Sequence, residues 1–304
     1  MDTLSDAPLA ALPLAPISPR LPLTEPFTAA MAARAGIGRA VLDRLHREGR
    51  VRRLLRGVYL DAAAPTTTAV RARALALVVG SQQVVVGRTA AWLHGVEVLR
   101  HDQHAPFPVE VRGRRTPRAA DRPVRYADHD LTCVGGVRCT TPLRTALDLG
   151  RELPPEGALA ALDGLLALRV FSHTALMAEA PRFGGQRGVG QLRELAALAD
   201  ARAADPTESV LRLRWLRGRL PTPSPALQVR RPDGGRVRLS LGLTVHQFGA
   251  VLAGRVSDTD LVALSTQGWR VVVLAPERVL RGDPSFLVGH LEREFHLHLL
   301  HQVG

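Results

Sequence analysis

Between Pro26 and Leu60 the spacing of apolar residues and glycines allows one local arrangement far more readily than any other. Phe27 to Arg34 reads as a first helix, and Gly36-Ile37-Gly38 as a tight turn. Arg39 to Glu48 reads as a second helix, in which Val41, Leu42 and Leu45 share a face at helical spacing. Gly49 ends that helix. Val51 to Leu55 and Gly57 to Leu60 then read as short strands joined at Arg56 and Gly57. Helix, turn, helix and ribbon outline a winged helix-turn-helix. A third helix, roughly Thr67 to Val79, would complete its core through Val70, Leu75 and Leu77.

The charge gives that outline a chemical direction. The formal net charge is +12 and the pI about 11.3, which suits a polyanionic partner such as nucleic acid or an anionic membrane. All 40 basic side chains are arginine, and with abundant Ala, Leu, Val, Gly and Pro this resembles the codon bias of a high-GC genome. Bias raises the total but does not cluster it, and Arg34, Arg39, Arg44, Arg47, Arg50, Arg52, Arg53 and Arg56 fall within one short stretch. Arg39, Arg44, His46 and Arg47 are therefore the candidates on a recognition helix, and Arg50, Arg52, Arg53 and Arg56 those for phosphate or minor-groove contacts from the wing. The competing structural reading is a solvated charged helix, with Arg53 or Arg56 paired to Asp43, Glu48 or Asp61.

Other chemistry finds little footing. The absence of lysine removes P-loop, Schiff-base and lysine-dependent kinase mechanisms. Cys133 and Cys139 flank Gly135-Gly136, a two-residue hairpin turn that would send the thiols to opposite faces, so a disulfide is not expected and a reducing cytoplasm fits. His296 and His298 lie two residues apart on a helix and point to different faces, so with His301 they make no metal site. Gly184, Gly185, Gly188 and Gly190 lack the strand and lysine of a phosphate loop. Trp92, Trp215 and Trp269 read as core residues. No run approaches the roughly 20 apolar residues of a membrane span. No cofactor is implied, and localisation is expected to be cytoplasmic and nucleoid-associated.

The chain reads as α+β and multidomain. A Pro-rich tail (1–24) precedes the winged helix-turn-helix (25–80), a mixed α/β middle domain (81–200) and a C-terminal α/β domain (201–304). The middle region carries a ribbon from Pro108 to Val111 and Val124 to Tyr126, and helices near Pro142 to Arg151, Pro155 to Leu168, His173 to Ala180 and Gly190 to Ala199. In the last region a helix from Thr207 leads to three strands, a helix at Asp260 to Gln267 and a strand at Trp269 to Leu274.

Phe27-Thr28, Gly57-Val58-Tyr59, the run Gly87-Arg88-Thr89-Ala90-Ala91-Trp92-Leu93-His94-Gly95 and the run Thr141-Pro142-Leu143-Arg144-Thr145-Ala146-Leu147-Asp148-Leu149 resemble the AbiEi-type antitoxin and transcriptional regulator family of high-GC bacteria. The resemblance covers about residues 25 to 280. It implies a winged helix, a middle domain and a C-terminal restriction-endonuclease-like domain of the very-short-patch-repair, PD-(D/E)xK type. Glu208, Gly254 and Gly268-Trp269 fit that last part, but the strand carboxylates are replaced by Ser240, Val251 and Ala253, which leaves no oxygen cage for a divalent metal. The expectation is a non-enzymatic regulator or antitoxin-like autorepressor that binds duplex DNA, with a homodimer and a toxin or other protein partner open. A metal-dependent endonuclease using Glu208 and a protein-interaction scaffold tethered to DNA are the alternatives.

Overall fold

The computed structural model describes residues 24–99, 106–113 and 126–303. The expected tail therefore lies outside the described residues apart from Thr24, as does the strand expected at Val124 apart from Tyr126. The chain divides into two compact units: the residues up to Ser81 with short segments around Phe107 and Gly136, and the remainder.

The first unit runs β1 (Phe27–Thr28), α1 (Ala29–Arg34), α2 (Arg39–Arg47), β2 (Val51–Leu55), β3 (Val58–Asp61) and α3 (Thr68–Ala76). The first helix starts later than its sequence pattern suggests. Thr28 is extended, and its hydroxyl accepts a hydrogen bond from the Met31 amide, which makes it an N-cap. Phe27 and Thr28 pair instead with Tyr59 and Val58, so the sheet order is β1-β3-β2. Phe27, Ile37, Leu42, Leu45, Val51 and Tyr59 form the core. Val41, expected inside, is 40% exposed because Ile37 and Phe27 complete the seal over Leu42 and Leu45. Leu77 is also outside the core, because α3 ends at Ala76 and Leu77 serves as its C-cap. Arg56 and Gly57 form the wing tip, where Gly57 has φ +79°, a conformation glycine adopts without a Cβ clash.

The rest of the chain runs β4 (Val84–Val85), α4 (Gly87–Leu93), β5 (Val111–Arg112), β6 (Leu131–Val134), β7 (Val137–Thr140), α5 (Pro142–Glu152), α6 (Pro155–Ala167), α7 (His173–Glu179) and α8 (Val189–Leu198). It continues through α9 (Pro206–Leu216), β8 (Ser224–Arg230), β9 (Arg236–Leu243), β10 (Phe248–Leu252), α10 (Asp258–Thr266), β11 (Arg270–Leu274), α11 (Pro276–Arg281) and α12 (Pro284–Val303). One sheet has the order β5-β4-β7-β6, with β4 antiparallel to β5 and parallel to β7. Strand β5 pairs with β4, and the strand expected to pair with it at Val124 lies outside the described residues apart from Tyr126. Both cysteines are free, and burial pushes the Cys139 thiol up to about 12, which keeps it protonated and unreactive.

The second sheet has the order β11-β10-β9-β8, with β11 parallel to β10 and the other neighbours antiparallel. Alternation along β10 divides its side chains between two cores. Phe248, Ala250 and Leu252 pack with Trp215 of α9 and with Leu291 and Phe295 of α12, whereas Val251 packs with Leu239 and Leu264. The helix, three strands, helix and strand read from the sequence are all present. Helix α9 is also tied to α6 within this unit: Arg212 donates to both carboxylate oxygens of Asp163 at 2.8 and 2.6 Å, and Arg214 donates to Glu156 at 2.7 Å.

Candidate nucleic-acid interface

Helix α2 buries Leu42 and Leu45 and turns its opposite face outward. At about 100° per residue, Ala40 and Arg47 sit near the middle of that outer face, flanked by Asp43 and Arg44, with Arg39 at its margin. The side chains of Arg39 and Arg44 are 91% and 62% exposed. Each has a carboxylate one turn later, Asp43 at 3.9 Å and Glu48 at 3.7 Å, in pairs too open and too long to hold it against a phosphate. Arg47 on α2 and Arg56 at the wing tip are exposed and form no ion pair among the described residues. These four guanidinium groups have reach and freedom.

The remaining candidates are tied into the fold. The Arg52 guanidinium donates to the Ala64 carbonyl at 2.5 Å, and burial lowers its pKa, with Asp61 opposing. Arg53 donates to the Tyr59 hydroxyl at 3.2 Å and lies 5.3 Å from the centre of that ring. His46 is exposed, but its Nδ1 lies 3.1 Å from the Val51 carbonyl and its ring meets Tyr59 edge-on. Arg50 is half-buried where α2 passes into β2, its amide bonded to the Leu45 carbonyl. The sequence places all eight in one basic stretch. The structure brings Arg44 and Arg47 onto one face with Arg39 at its margin, while Arg52 and Arg53 bond within the ribbon and the turn after it, and His46 and the Arg50 amide join helix to ribbon. Sequence periodicity missed Val41, which joins Ala40 as an apolar neighbour of the exposed arginines.

The residue that the nuclease pattern singles out has a different environment. Glu208, on the first turn of α9, is 2% exposed. Arg238 donates to its two carboxylate oxygens at 2.7 Å each, Ser240 at 2.9 Å, and the Ala204 amide at 2.8 Å. Burial opposes ionisation, but the bonds from Arg238, Ala204 and Ser240 together outweigh it and hold the carboxyl below its usual range. Val251 is core, and the exposed Ala253 uses its amide to bond the Leu274 carbonyl. Among the described residues no group of three or more His, Cys, Asp or Glu side chains is placed to hold a metal. His296 and His298 bond to different carbonyls, those of Glu292 and His246.

A depressed carboxyl pKa contributes stability that is fully present above the unfolded value, about 4.3 for glutamate, and is lost as pH falls through the folded value. Acidification from pH 6 to pH 3.5 is therefore expected to lower the urea midpoint of the wild type more than that of Glu208→Gln. Equal losses in the two would contradict this account of the Glu208 cluster.

The first unit thus sets an exposed basic helix ahead of a β-ribbon, the arrangement of a winged helix-turn-helix. Residues 25–60 match the family model described as a transcriptional regulator, AbiEi antitoxin, and residues 83–198 match that of the AbiEi antitoxin C-terminal domain. The chain is also similar to two uncharacterized proteins of Mycobacterium tuberculosis, from strains CDC 1551 and H37Rv. Each is 27% identical over 265 residues, covering 84% of this chain and 96% of the relative. Coverage of that extent takes in residues beyond 198, so the likeness reaches the C-terminal sheet. No helix among the described residues is long and apolar enough to cross a membrane.

Proposed function

We propose that this chain is a DNA-binding transcriptional regulator of antitoxin type that represses from its own promoter and does not cut DNA. The observation that carries the reading is the placing of exposed Arg39, Arg44 and Arg47 on the outer face of α2, with Arg56 at the tip of the ribbon that follows. An α-helix fits the major groove, where arginine can read guanine O6 and N7 in a bidentate manner, while a wing arginine meets phosphate. Ala40 and Val41 add small apolar groups suited to thymine methyls. The AbiEi matches support the regulator and antitoxin reading, and they make a toxin protein the natural second partner. A homodimer follows from energetics: one small winged helix buries little surface, and paired half-sites multiply affinity.

The last hundred residues, on this reading, keep a nuclease-like arrangement without its chemistry. Metal-assisted phosphodiester hydrolysis needs clustered carboxylates open to water. Here Arg238 supplies the positive charge opposite Glu208, Ser240 stands where a strand carboxylate is required, and Val251 is packed among Leu239 and Leu264. Supercoiled plasmid incubated with the chain and magnesium or manganese is expected to remain intact, while footprinting on the upstream DNA shows protection. Metal-dependent nicking that is abolished in Glu208→Gln would overturn the non-enzymatic reading.

A further inference from the structure

A cavity of about 680 Å³ lies in the second unit, between α4, β5, α5 and the 3-10 turn Ala180–Phe183. Five arginines line it: Arg88, Arg112, Arg144, Arg151 and Arg182. Three carboxylates, those of Glu110, Asp148 and Glu152, face the same space, and Asp130 and Glu179 pair with Arg144 and Arg182 from outside the lining, so the five guanidinium groups have five carboxylates about them. The volume is that of an ordinary small-molecule site.

Most of this charge is locked in position from behind. Arg144 bonds to Asp148 at 2.9 Å and to Asp130 at 2.8 Å, with its guanidinium 4.7 Å from the Tyr126 ring centre and 5.1 Å from that of Phe183. Arg182 shares Asp130. Arg151, whose side chain is only 10% exposed, bonds to Asp148 at 3.0 Å and lies 4.5 Å from the Phe183 ring centre, and its buried Nε has no partner. Arg88 reaches Glu110 only at 3.8 Å, and its Nε is likewise buried without a partner. The Arg112 side chain, at the exposed end of β5, makes no hydrogen bond or ion pair among the described residues. A fold that only needed internal salt bridges would match each guanidinium to a carboxylate. Here Arg112 is matched to none and Arg88 only at 3.8 Å, so their donors face a space larger than a single ion.

From this geometry we infer that the cavity is a binding site for a small phosphate-bearing molecule of nucleotide size. Planar guanidinium groups donate in pairs to phosphate oxygens, and the uncommitted donors of Arg112 and Arg88 are the ones such a group would engage. Arg112 closes on the phosphate, and Arg88 and Arg151 supply the donors beneath it. The site is separate from the DNA-binding reading, so either can fail without the other.

Isothermal titration of the full chain with ADP and with inorganic pyrophosphate, against sodium chloride of equal ionic strength, tests this. Saturable binding with one site per chain is expected. Arg112→Ala is expected to weaken it by about tenfold or more, as for loss of a charged hydrogen-bonding partner, with the circular dichroism and melting of the unliganded protein unchanged because that side chain is exposed and unpaired. A variant lacking Arg44 and Arg47 is expected to bind ADP as the wild type does. Absence of saturable binding of both probes, or equal affinity in Arg112→Ala, would overturn the site. Displacement of ADP by a short DNA duplex would place backbone phosphate there and overturn the small-molecule assignment.

Discussion

Replacing Arg44 and Arg47 together by alanine is expected to weaken binding to duplex DNA on the order of a thousandfold. A bidentate arginine–guanine contact is worth about 1–3 kcal/mol, and each 1.4 kcal/mol is tenfold in affinity. The two side chains lie on the outward face of α2, Arg44 is 62% exposed, and the ion pair that Arg44 makes with Glu48 is open to solvent. Truncating them removes little that the folded unit uses, so its melting temperature is expected to stay within a degree or two of the wild type. Fluorescence anisotropy on a labelled duplex and thermal melting of the same preparations check both halves. Arg52→Ala makes the contrasting case, because its guanidinium holds the Ala64 carbonyl and its loss is felt first in stability. An affinity loss under tenfold for the double variant would move the recognition surface off α2.

Replacing Asp163 by alanine is expected to cost the second unit about 3–5 kcal/mol, the usual result when one partner of a buried ion pair is removed and the other stays. The Asp163 and Arg212 side chains are 1% and 6% exposed. Asp163 also accepts a hydrogen bond from the Asp200 amide, so it ties α6 to both the end of α8 and helix α9. Alanine leaves the Arg212 guanidinium buried without its carboxylate. Its other bond, to the Leu198 carbonyl, carries no compensating charge. The melting transition of this unit is expected to fall on the order of 10 °C. A change under 1 kcal/mol would mean that the helices of the AbiEi-matched stretch and the C-terminal sheet are not stabilised by this pair. The same variant is expected to leave the first unit folded.

How much of this was legible in the sequence varies with the distance over which each feature is decided. The turn at Gly36 to Gly38, the stripe of Leu42 and Leu45 and the ribbon around Gly57 are settled within one or two helical turns, and local spacing reads them correctly. The C-terminal order of helix, strands, helix and strand was equally plain, since alternating runs such as Val237, Leu239 and Leu241 have few other uses. Strand β1 was hidden because Phe27 and Thr28 gain their extended form only by pairing with Val58 and Tyr59. Val41 deceived for a similar reason: a third apolar residue at helical spacing belongs to the core only if no other element fills the place.

The candidate interface was legible as a basic cluster and not as a division of labour. Nothing in the spacing of Arg52 and Arg53 announces that one meets a carbonyl at Ala64 and the other the hydroxyl of Tyr59. The arginine-lined cavity was illegible for a stronger reason. Arg88, Arg112, the pair Arg144 and Arg151 of α5, and Arg182 come from four separate stretches and, in a chain with 40 arginines, carry no signal until the fold gathers them. The Glu208 cluster falls between these cases, since the missing strand carboxylates could be read but not the arginine that answers the glutamate.

The central claim is that the first unit reads duplex DNA through α2 and its wing, and equilibrium binding to the DNA upstream of its own gene, compared with a scrambled duplex across a salt series, tests it most directly. Tight binding is predicted for the upstream duplex, about a thousandfold or more over the scrambled one, with log affinity falling linearly in log salt and Arg56→Ala reducing that slope by about one. Equal affinity for both duplexes, or binding insensitive to salt and to Arg56→Ala, would contradict it.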